Sequence, residues 1–281
     1  MNVKKSLYLM MLSLIILSTS CTDSTNEGLA PELPPLGSMV IDFDDFSHAH
    51  ARPANDKSTS IAILDNWGYS QLVVGVWNTA LITTLAVPVA SFRSAFNHQA
   101  EYLGGTKWQW TYTVDGFTSQ YTARLTGELS GSQVQWEMYI EKSGIDAFDE
   151  ILWFSGVSQT DTKSGYWILN HSAAYPENML RIDWAVEGEE IGNIKYTYVR
   201  ELNNDRATDK FKDSYIIYGL QTGDMDAFYD VHAFDFILDD FVDVDIEWSR
   251  TTYNGQVMAP YYFENNQWHC WDTNGDNIDC P

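Results

Sequence analysis

The sequence predicts a mainly β protein, a curved antiparallel up-and-down sheet or partial barrel of about ten strands wrapped on an N-terminal helix. After Thr106, apolar and polar residues alternate with a period of two, which is typical of half-buried strands. The turns between these strands are too short for βαβ crossovers, so the sheet is expected to be antiparallel. Residues 70–97 show helical periodicity instead. A β-sandwich is the alternative architecture.

The helix is predicted over residues 70–97 from apolar residues that recur at spacings of three and four: Val73, Val76, Trp77, Ala80, Leu81, Thr84 and Leu85. Pro88 is expected to kink or divide it, because proline removes a backbone hydrogen bond. The apolar face is broad, so we expect the helix to be buried against the sheet. A first strand is predicted before it, over residues 39–46.

The strands are placed by alternation and by turn residues. Trp108 and Trp110 begin the first hairpin, which turns at Asp115-Gly116, and the next turn lies at Ser130-Gly131-Ser132. A sheet this wide must curl or close to protect its edges. Further strands are predicted near residues 134–140, 150–157, 164–170, 179–187, 191–200, 213–220, 226–234, 242–250 and 256–263.

The N-terminus predicts export. Lys4 and Lys5 precede an apolar run over residues 7–17 and small residues at 18–20, which together form a secretory signal over residues 1–20. The sequence Leu17-Ser18-Thr19-Ser20-Cys21 resembles the lipobox of bacterial lipoproteins, although the leucine stands four residues before the cysteine instead of three. The resemblance implies that Cys21 becomes the acylated N-terminus. Ordinary secretion is the alternative.

The tether after Cys21 is predicted over residues 21–37, because this stretch is polar, rich in proline and without periodicity. Thr22 after the cysteine fits a lipid-anchored protein of the outer membrane, and Asp23 and Glu27 leave the periplasmic and cell-surface faces both open. No later segment is expected to cross a bilayer. Residues 38–281 are predicted to form a single β domain.

The charge balance excludes one class of partner. The chain has 39 acidic and 16 basic residues and a net charge of −23, which moves to about −25 when Lys4 and Lys5 are removed with the signal. Such a negative field repels nucleic acid and favours cation binding, so we expect no nucleic-acid partner.

Cys270 and Cys280 are predicted to form a disulfide, because an even pair in an oxidising compartment is most simply bonded. It would close a short C-terminal loop and contribute about 3 kcal/mol in the chain-entropy model. A zinc site is the alternative, and His269 is the one further ligand beside the pair.

The order of elements over residues 39–263 resembles that of periplasmic lipoprotein-carrier domains. In that architecture an unclosed barrel, lined by aromatic residues and lidded by helices, holds acyl chains. The resemblance rests on element order and on no motif matched residue by residue. It implies a hydrophobic cavity inside the curved sheet.

The first candidate site is a row of tryptophans on the predicted inner face. Large aromatic rings can line a cavity for lipid tails or sugars, but they can equally pack on the helix as ordinary core. The predicted ligand-binding residues are Trp108, Trp110, Trp136, Trp153, Trp167, Trp184 and Trp248.

The second candidate is a weak calcium site at Asp272, Asn274 and Asp276, which match the alternate oxygen ligands of a calcium loop. Asn277 stands where a glycine is usual, and no closing glutamate follows, so a complete EF-hand is excluded. The alternative is a polar turn closed by the disulfide. No other cofactor is predicted.

The third candidate is an acidic row, of which the last three members fall on one face of a predicted strand: Asp239, Asp240, Asp243, Asp245 and Glu247. Aligned like charges repel unless a cation or a basic partner neutralises them, although a solvated outer face is the simpler interpretation. His48 and His50 lie beside further aspartates and could bind a metal. No catalytic motif is found, and no catalytic residue is predicted.

The leading functional hypothesis is a non-enzymatic cell-envelope lipoprotein that binds a hydrophobic or amphipathic ligand inside its curved sheet. The first alternative is an interaction subunit of an envelope complex, in which the acidic outer strands meet a basic partner. The second is a carbohydrate-binding surface lipoprotein, which exposed coplanar aromatic rings beside carboxylates would favour.

Overall fold

Fourteen antiparallel strands form one curved, unclosed sheet in the part of the chain that the structure describes. This computed structural model describes residues 28–40, 46, 64–116 and 119–281. Each strand pairs with the strands that precede and follow it in the chain, so the sheet is an up-and-down meander. The predicted mainly β architecture is confirmed, and the sandwich alternative is wrong.

The strands at the two edges of the sheet are short, and those near its centre are long. The sequence predicted about ten strands and missed the edge strands, because two to four residues cannot display an alternating pattern. The strands are β1 (Glu101–Gly104), β2 (Lys107–Asp115), β3 (Ser119–Ser130), β4 (Gln133–Gly144), β5 (Phe148–Gln159), β6 (Ser164–Asn170), β7 (Asn178–Glu187), β8 (Glu190–Tyr198), β9 (Tyr215–Leu220), β10 (Ala227–Asp235), β11 (Asp240–Trp248), β12 (Gly255–Met258), β13 (His269–Trp271) and β14 (Asn277–Ile278).

The main helix, α1 (Asn66–Ala95), begins where Asp65 accepts a hydrogen bond from the backbone N–H of Gly68 at 2.6 Å. This cap lies before the apolar periodicity, which is why the helix starts earlier than predicted. The helix is continuous through Pro88, so the proline does not divide it. A second helix, α2 (Pro260–Phe263), is a single turn.

The N-terminal half of α1 packs on β12 and β13, and its C-terminal half packs on β2 and β3. The helix therefore bridges the two ends of the open sheet. Its buried side carries Trp67, Val74, Leu81 and Phe92.

Two residues that were predicted to lie on the buried face of α1 are exposed, so the prediction was wrong for them. Val76 is 62% exposed and Ala80 is exposed, because the apolar residues surround the helix and their spacing does not say which side meets the sheet.

The expectation that no later segment could cross a bilayer was also wrong in one respect. By length and composition α1 is apolar enough to do so, and 22% of its most apolar stretch is buried in the protein. A core helix of a soluble domain passes the same test. In this structure α1 is a strongly apolar helix, and the sheet covers one of its sides.

The space between α1 and the centre of the sheet is filled by the chain before the helix. A 3₁₀ turn over Leu36–Ser38 contacts β7 and β8. Trp167 donates an Nε1–H hydrogen bond to the Ser38 hydroxyl at 3.1 Å, and Tyr196 donates to the Met39 carbonyl at 3.4 Å. Residues 33–40 pack against the core, so the folded domain begins inside the predicted tether.

The predicted first strand over residues 39–46 is not found at residues 39, 40 and 46, which are the ones that the structure describes. Met39 and Val40 belong to no strand, because they leave the 3₁₀ turn and pack on the core, and residues 41–45 lie outside the described residues. Phe46 is buried and lies 4.8 Å from Trp248 between ring centroids.

The C-terminal hairpin holds the start of α1. The sulfur atoms of Cys270 and Cys280 lie 2.12 Å apart, which confirms the predicted disulfide pair. Asn66 donates its backbone N–H to Asn277 Oδ1 at 2.9 Å and its side-chain amide to the Cys270 carbonyl at 2.8 Å. The disulfide therefore closes the segment on which the helix N-terminus is hydrogen-bonded.

Candidate functional site

Six of the seven predicted tryptophans are core. Trp108, Trp110, Trp136, Trp167, Trp184 and Trp248 are each at most 5% exposed. Their rings contact one another and α1: Trp110 lies 5.9 Å from Trp136, and Trp167 lies 5.3 Å from Phe92 between centroids. These six rings offer no surface to a ligand in this structure.

The packing around these rings is tight. A Cβ added at Gly127 would lie 2.6 Å from the Trp136 ring, and one at Gly156 would lie 2.4 Å from the Trp167 ring. Glycine is needed at both positions because the rings occupy the space that a side chain would take. This supports the core interpretation that the sequence left open.

Trp153 differs from the other six. It is half-buried, and it is the extra residue of a bulge in β5, where Met138 pairs with Phe154 and Tyr139 with Leu152. Its ring lies 5.5 Å from Phe148. The alternating pattern predicted that Trp153 lies on the inner face with the other tryptophans. The bulge interrupts the alternation at this residue, so the pattern no longer gives its face.

The outer side of α1, which faces away from the sheet, is apolar and exposed. Leu72, Val76 and Ile82 are 53%, 62% and 57% exposed. Arg93 is the single charged residue of this 30-residue helix. Charged residues would cover a solvated helix face at no structural cost, so this exposed apolar face is the candidate site.

One exposed stripe runs the length of this side at alternating spacings of four and three residues: Leu72, Val76, Thr79, Thr83, Ala86 and Ala90. Its threonines do not make it polar. Thr79 donates its hydroxyl to the Gly75 carbonyl at 2.8 Å, and Thr83 donates to the Thr79 carbonyl at 2.9 Å. The hydroxyl donors are thus used within the helix. We call these six residues the α1 stripe.

Two grooves lie on the outer side of α1. The larger has a volume of about 720 Å³, and the smaller, of about 260 Å³, is bounded in part by Val40. Their walls are almost entirely aliphatic or hydroxyl-bearing, and Arg93 is the charged group at the far end. The larger groove is lined by Gln71, Leu72, Gly75, Val76, Thr79, Ala80, Thr83 and Thr84, and the smaller also by Ile82, Leu85, Ala86, Val89, Ala90 and Arg93.

Two aromatic rings on the outer face of the sheet, those of Tyr139 and Tyr166, each have a guanidinium over them. The Arg124 guanidinium lies 4.2 Å from the Tyr139 ring centroid, and that of Arg181 lies 4.2 Å from the Tyr166 centroid. A polar groove of about 460 Å³ runs beside Tyr166. Because cations occupy these ring faces, the groove lacks the free stacking platform that a sugar ring needs.

The acidic row lies on the outer face of the sheet, as predicted for Asp243, Asp245 and Glu247. Asp245 stands directly opposite Asp230 of β10. Burial raises the pKa of both carboxyls. Repulsion from Asp230 raises the pKa of Asp245 further, whereas Tyr215 and Lys195 partly offset the rise at Asp230. Two like charges therefore face each other at a direct cross-strand position, which destabilises a sheet.

Two members of the acidic row have a basic residue close by: Asp239 is paired with Lys210, and Asp243 lies beside a histidine. Asp243 Oδ1 lies 2.6 Å from His232 Nδ1. The His232 ring is stacked on Phe241, with centroids 4.4 Å apart, and lies 5.4 Å from Tyr215. This stacking fixes the imidazole beside the carboxylate.

The predicted calcium residues form a closed turn. Asp272 Oδ1 accepts hydrogen bonds from the backbone N–H groups of Asn274 at 2.8 Å and Asp276 at 3.1 Å. Among the described residues no group of three or more His, Cys, Asp or Glu side chains could hold a metal. The calcium site stays a prediction, and Cys21, His48 and His50 lie outside the described residues.

Sequence reasoning missed the α1 stripe as a candidate site. A signal was present, because 30 consecutive residues contain one charge, and small residues recur at helical spacing at Thr79, Thr83, Ala86 and Ala90. The helix was instead assigned wholly to the core.

The comparisons with known proteins identify no relative. No protein-family model matches the chain, and neither a curated protein nor a solved structure matches it. Its function must therefore be argued from its own surfaces.

Proposed function

We propose that this protein is a lipid-anchored, non-enzymatic protein of the bacterial cell envelope that binds a long-chain amphiphile along the outer side of α1. The observation that carries the proposal is the α1 stripe, an exposed apolar surface beside two grooves on a helix with a single charge. The ligand class is the one expected from the sequence. The binding surface is the outer side of the helix, since the tryptophan row is packed core.

Burial of this surface would supply useful binding energy. Leu72, Val76 and Ile82 are each about half exposed, so covering each is worth about 1 kcal/mol at roughly 25 cal/mol per Å² of apolar surface. Each 1.4 kcal/mol changes affinity about tenfold. Three such contacts supply about 3 kcal/mol, and the methyl groups of the stripe add to this burial.

The length and charge of the site define the ligand further. At 1.5 Å per residue, the distance along the helix from Gln71 to Arg93 is about 33 Å, which accommodates an extended acyl chain. Arg93 lies at one end and is the natural partner of an anionic head group. We therefore expect an amphiphile whose chain follows the α1 stripe and whose negative head lies at Arg93.

The proposed anchor supports this reading. Acylation at Cys21 would hold the domain beside a bilayer, which is the source of such amphiphiles. Residues 33–40 belong to the folded domain, so the free tether is shorter than residues 21–37. A short tether keeps α1 near the membrane surface.

A second function has one observation in its favour. The spacing of the α1 stripe is that of a helix–helix seam, so a helix of an envelope partner or of a second copy could cover it. The carbohydrate alternative has less support, because guanidinium groups lie over the outer-face rings of Tyr139 and Tyr166.

The test uses the mature domain, exported without its acyl anchor and purified from the envelope. Organic extracts are analysed by mass spectrometry, and palmitate is titrated into delipidated protein. We expect palmitate to bind with one-to-one stoichiometry. Ile82→Glu and Ala86→Glu should each weaken binding at least tenfold, because both residues line the groove beside Arg93 and a carboxylate there would repel the ligand's negative head and face its alkyl chain.

The matched control is Leu103→Glu, since Leu103 is a similarly exposed apolar residue on β1. It should bind palmitate as the wild type does. A domain that binds no palmitate, or whose affinity is unchanged by the α1 substitutions, would contradict the proposal. Dimerisation that Val76→Glu abolishes would favour the helix–helix alternative.

A further inference from the structure

The turn between β10 and β11 presents an exposed apolar tip. Phe236 is 68% exposed, Ile237 is 92% exposed and Leu238 is 37% exposed. We call these three residues the hydrophobic tip. Loop ends are ordinarily polar, so three consecutive large apolar residues at one mark a contact surface.

The tip is held in a fixed shape. Asp235 Oδ1 accepts hydrogen bonds from the backbone N–H groups of Ile237 at 2.7 Å and Leu238 at 3.0 Å, which closes the turn. The Phe236 ring packs edge-on against Phe211, with centroids 4.7 Å apart. A preorganised tip loses little conformational entropy when it is buried by a partner.

Aromatic packing continues from the tip into the outer face of the sheet. Phe234 lies 5.8 Å from Phe236 and 5.5 Å from Phe241, which in turn stacks on His232. The tip is therefore braced by the sheet and does not depend on the turn alone.

The surroundings of the tip are strongly acidic. Strands β9, β10 and β11 contain no lysine or arginine. Asp239 is paired with Lys210, while Asp240, Asp243 and Asp245 continue the negative charge along β11. A surface of this kind attracts a basic partner over several ångströms and repels an acidic one.

We infer that the hydrophobic tip is a docking site for a protein partner that offers an apolar pocket with lysine or arginine at its rim. The apolar residues enter the pocket as the anchor, and the aspartates of the turn and of β11 meet the basic rim. Charge complementarity selects a protein over a bilayer, because aspartates at the base of the tip repel anionic head groups. The inference is independent of the amphiphile site on α1.

The first experiment places a photo-crosslinking benzoylphenylalanine at position 237 of the full-length chain in the native cell. The matched control carries it at position 145, because Ile145 is also an exposed apolar residue, in the turn between β4 and β5. We expect one protein to be crosslinked from position 237 and not from position 145. A crosslink to lipid, to a second copy of this chain, or equally from both positions would overturn the inference.

The second experiment measures the rates at which the purified partner binds to and dissociates from this protein. Ile237→Ser should weaken binding at least tenfold through faster dissociation, because the anchor is removed. Asp240→Asn with Asp243→Asn should slow association and reduce its dependence on salt. Ile145→Ser should change neither rate, and palmitate binding should be unchanged in every variant. An affinity unaffected by Ile237→Ser would overturn the inference.

Discussion

Both sides of α1 carry large apolar residues, but the two sides have opposite environments. Toward the sheet, Leu81, Leu85 and Phe92 are at most 3% exposed, whereas Leu72 and Val76 on the other side are more than half exposed. Core formation explains the first side and leaves the second unexplained. The comparison teaches that hydrophobicity in one element can have two causes, packing within the fold and contact with something outside it.

The largest expected effect is on the packed side. Trp167→Ala should lower the free energy of unfolding by about 3–5 kcal/mol, because it leaves a cavity against Phe92 and Phe154 and removes a hydrogen bond to Ser38. Urea unfolding followed by circular dichroism measures it. A loss below about 1 kcal/mol would mean that this face is not tightly packed.

The next effect concerns the disulfide-closed C-terminal hairpin, which is hydrogen-bonded to the start of α1. Replacing both Cys270 and Cys280 by serine should cost about 2–3 kcal/mol in the chain-entropy model. The rate of amide hydrogen exchange should rise first at the N-terminus of α1, because Asn66 is hydrogen-bonded to the segment that the disulfide closes. Uniform exchange along α1 in this variant would show that the hairpin does not hold the helix.

A smaller effect of opposite sign is expected on the outer face of the sheet. Burial, with repulsion from Asp230 and Asp243, raises the pKa of Asp245, so the folded state holds this proton more tightly than the unfolded chain. Stability from this group is greatest in acid and falls as the pH rises through its folded pKa. Asp245→Asn should therefore stabilise the protein at neutral pH by about 0.2–1 kcal/mol, reduced by solvent screening.

The same variant should show no gain once the carboxyl group of the wild type is protonated. Urea titrations at neutral and acidic pH measure the difference. A gain that is equal at both pH values would mean that the effect comes from packing and not from charge.

The smallest effect is expected on the exposed side of α1. Leu72→Ala should change the free energy of unfolding by less than about 0.5 kcal/mol, because the residue has few contacts within the fold. Leu81→Ala, on the packed side of the same helix, should cost about 2–5 kcal/mol. If urea unfolding gave similar losses of unfolding free energy for the two substitutions, the two sides of α1 would not differ in packing.

Much of the fold could be predicted because alternation and turn residues are local. The limits of β6 and β7 agree closely with the predicted strands, and the turns at Gly116 and Gly131 lie between strands as expected. The bulge at Trp153 could not be predicted, because an inserted residue changes the face without changing the composition.

The candidate site was harder to predict, for a physical reason. Tryptophan has the same hydrophobicity in a cavity wall and in a packed core, and only the atoms that face Trp136 and Trp167 decide between them. Similarly, α1 has one charged residue in 30, so no pattern of charge marks its outward side, and small residues at helical spacing are a weaker signal. The hydrophobic tip, by contrast, can be read from Phe236, Ile237 and Leu238 beside the turn-closing Asp235.

The strands are neighbours in the sheet in the order in which they occur in the chain, and this determines how a growing chain folds. A chain that emerges N-terminus first exposes α1 before any strand exists to cover it. Each later strand then finds its neighbour already present, so pairing proceeds through short loops at small entropic cost. The hairpin that receives the start of α1 is made last. Among the described helices and strands, α1 is therefore exposed for the longest time, and its apolar surface is where an unfinished chain is most prone to aggregate.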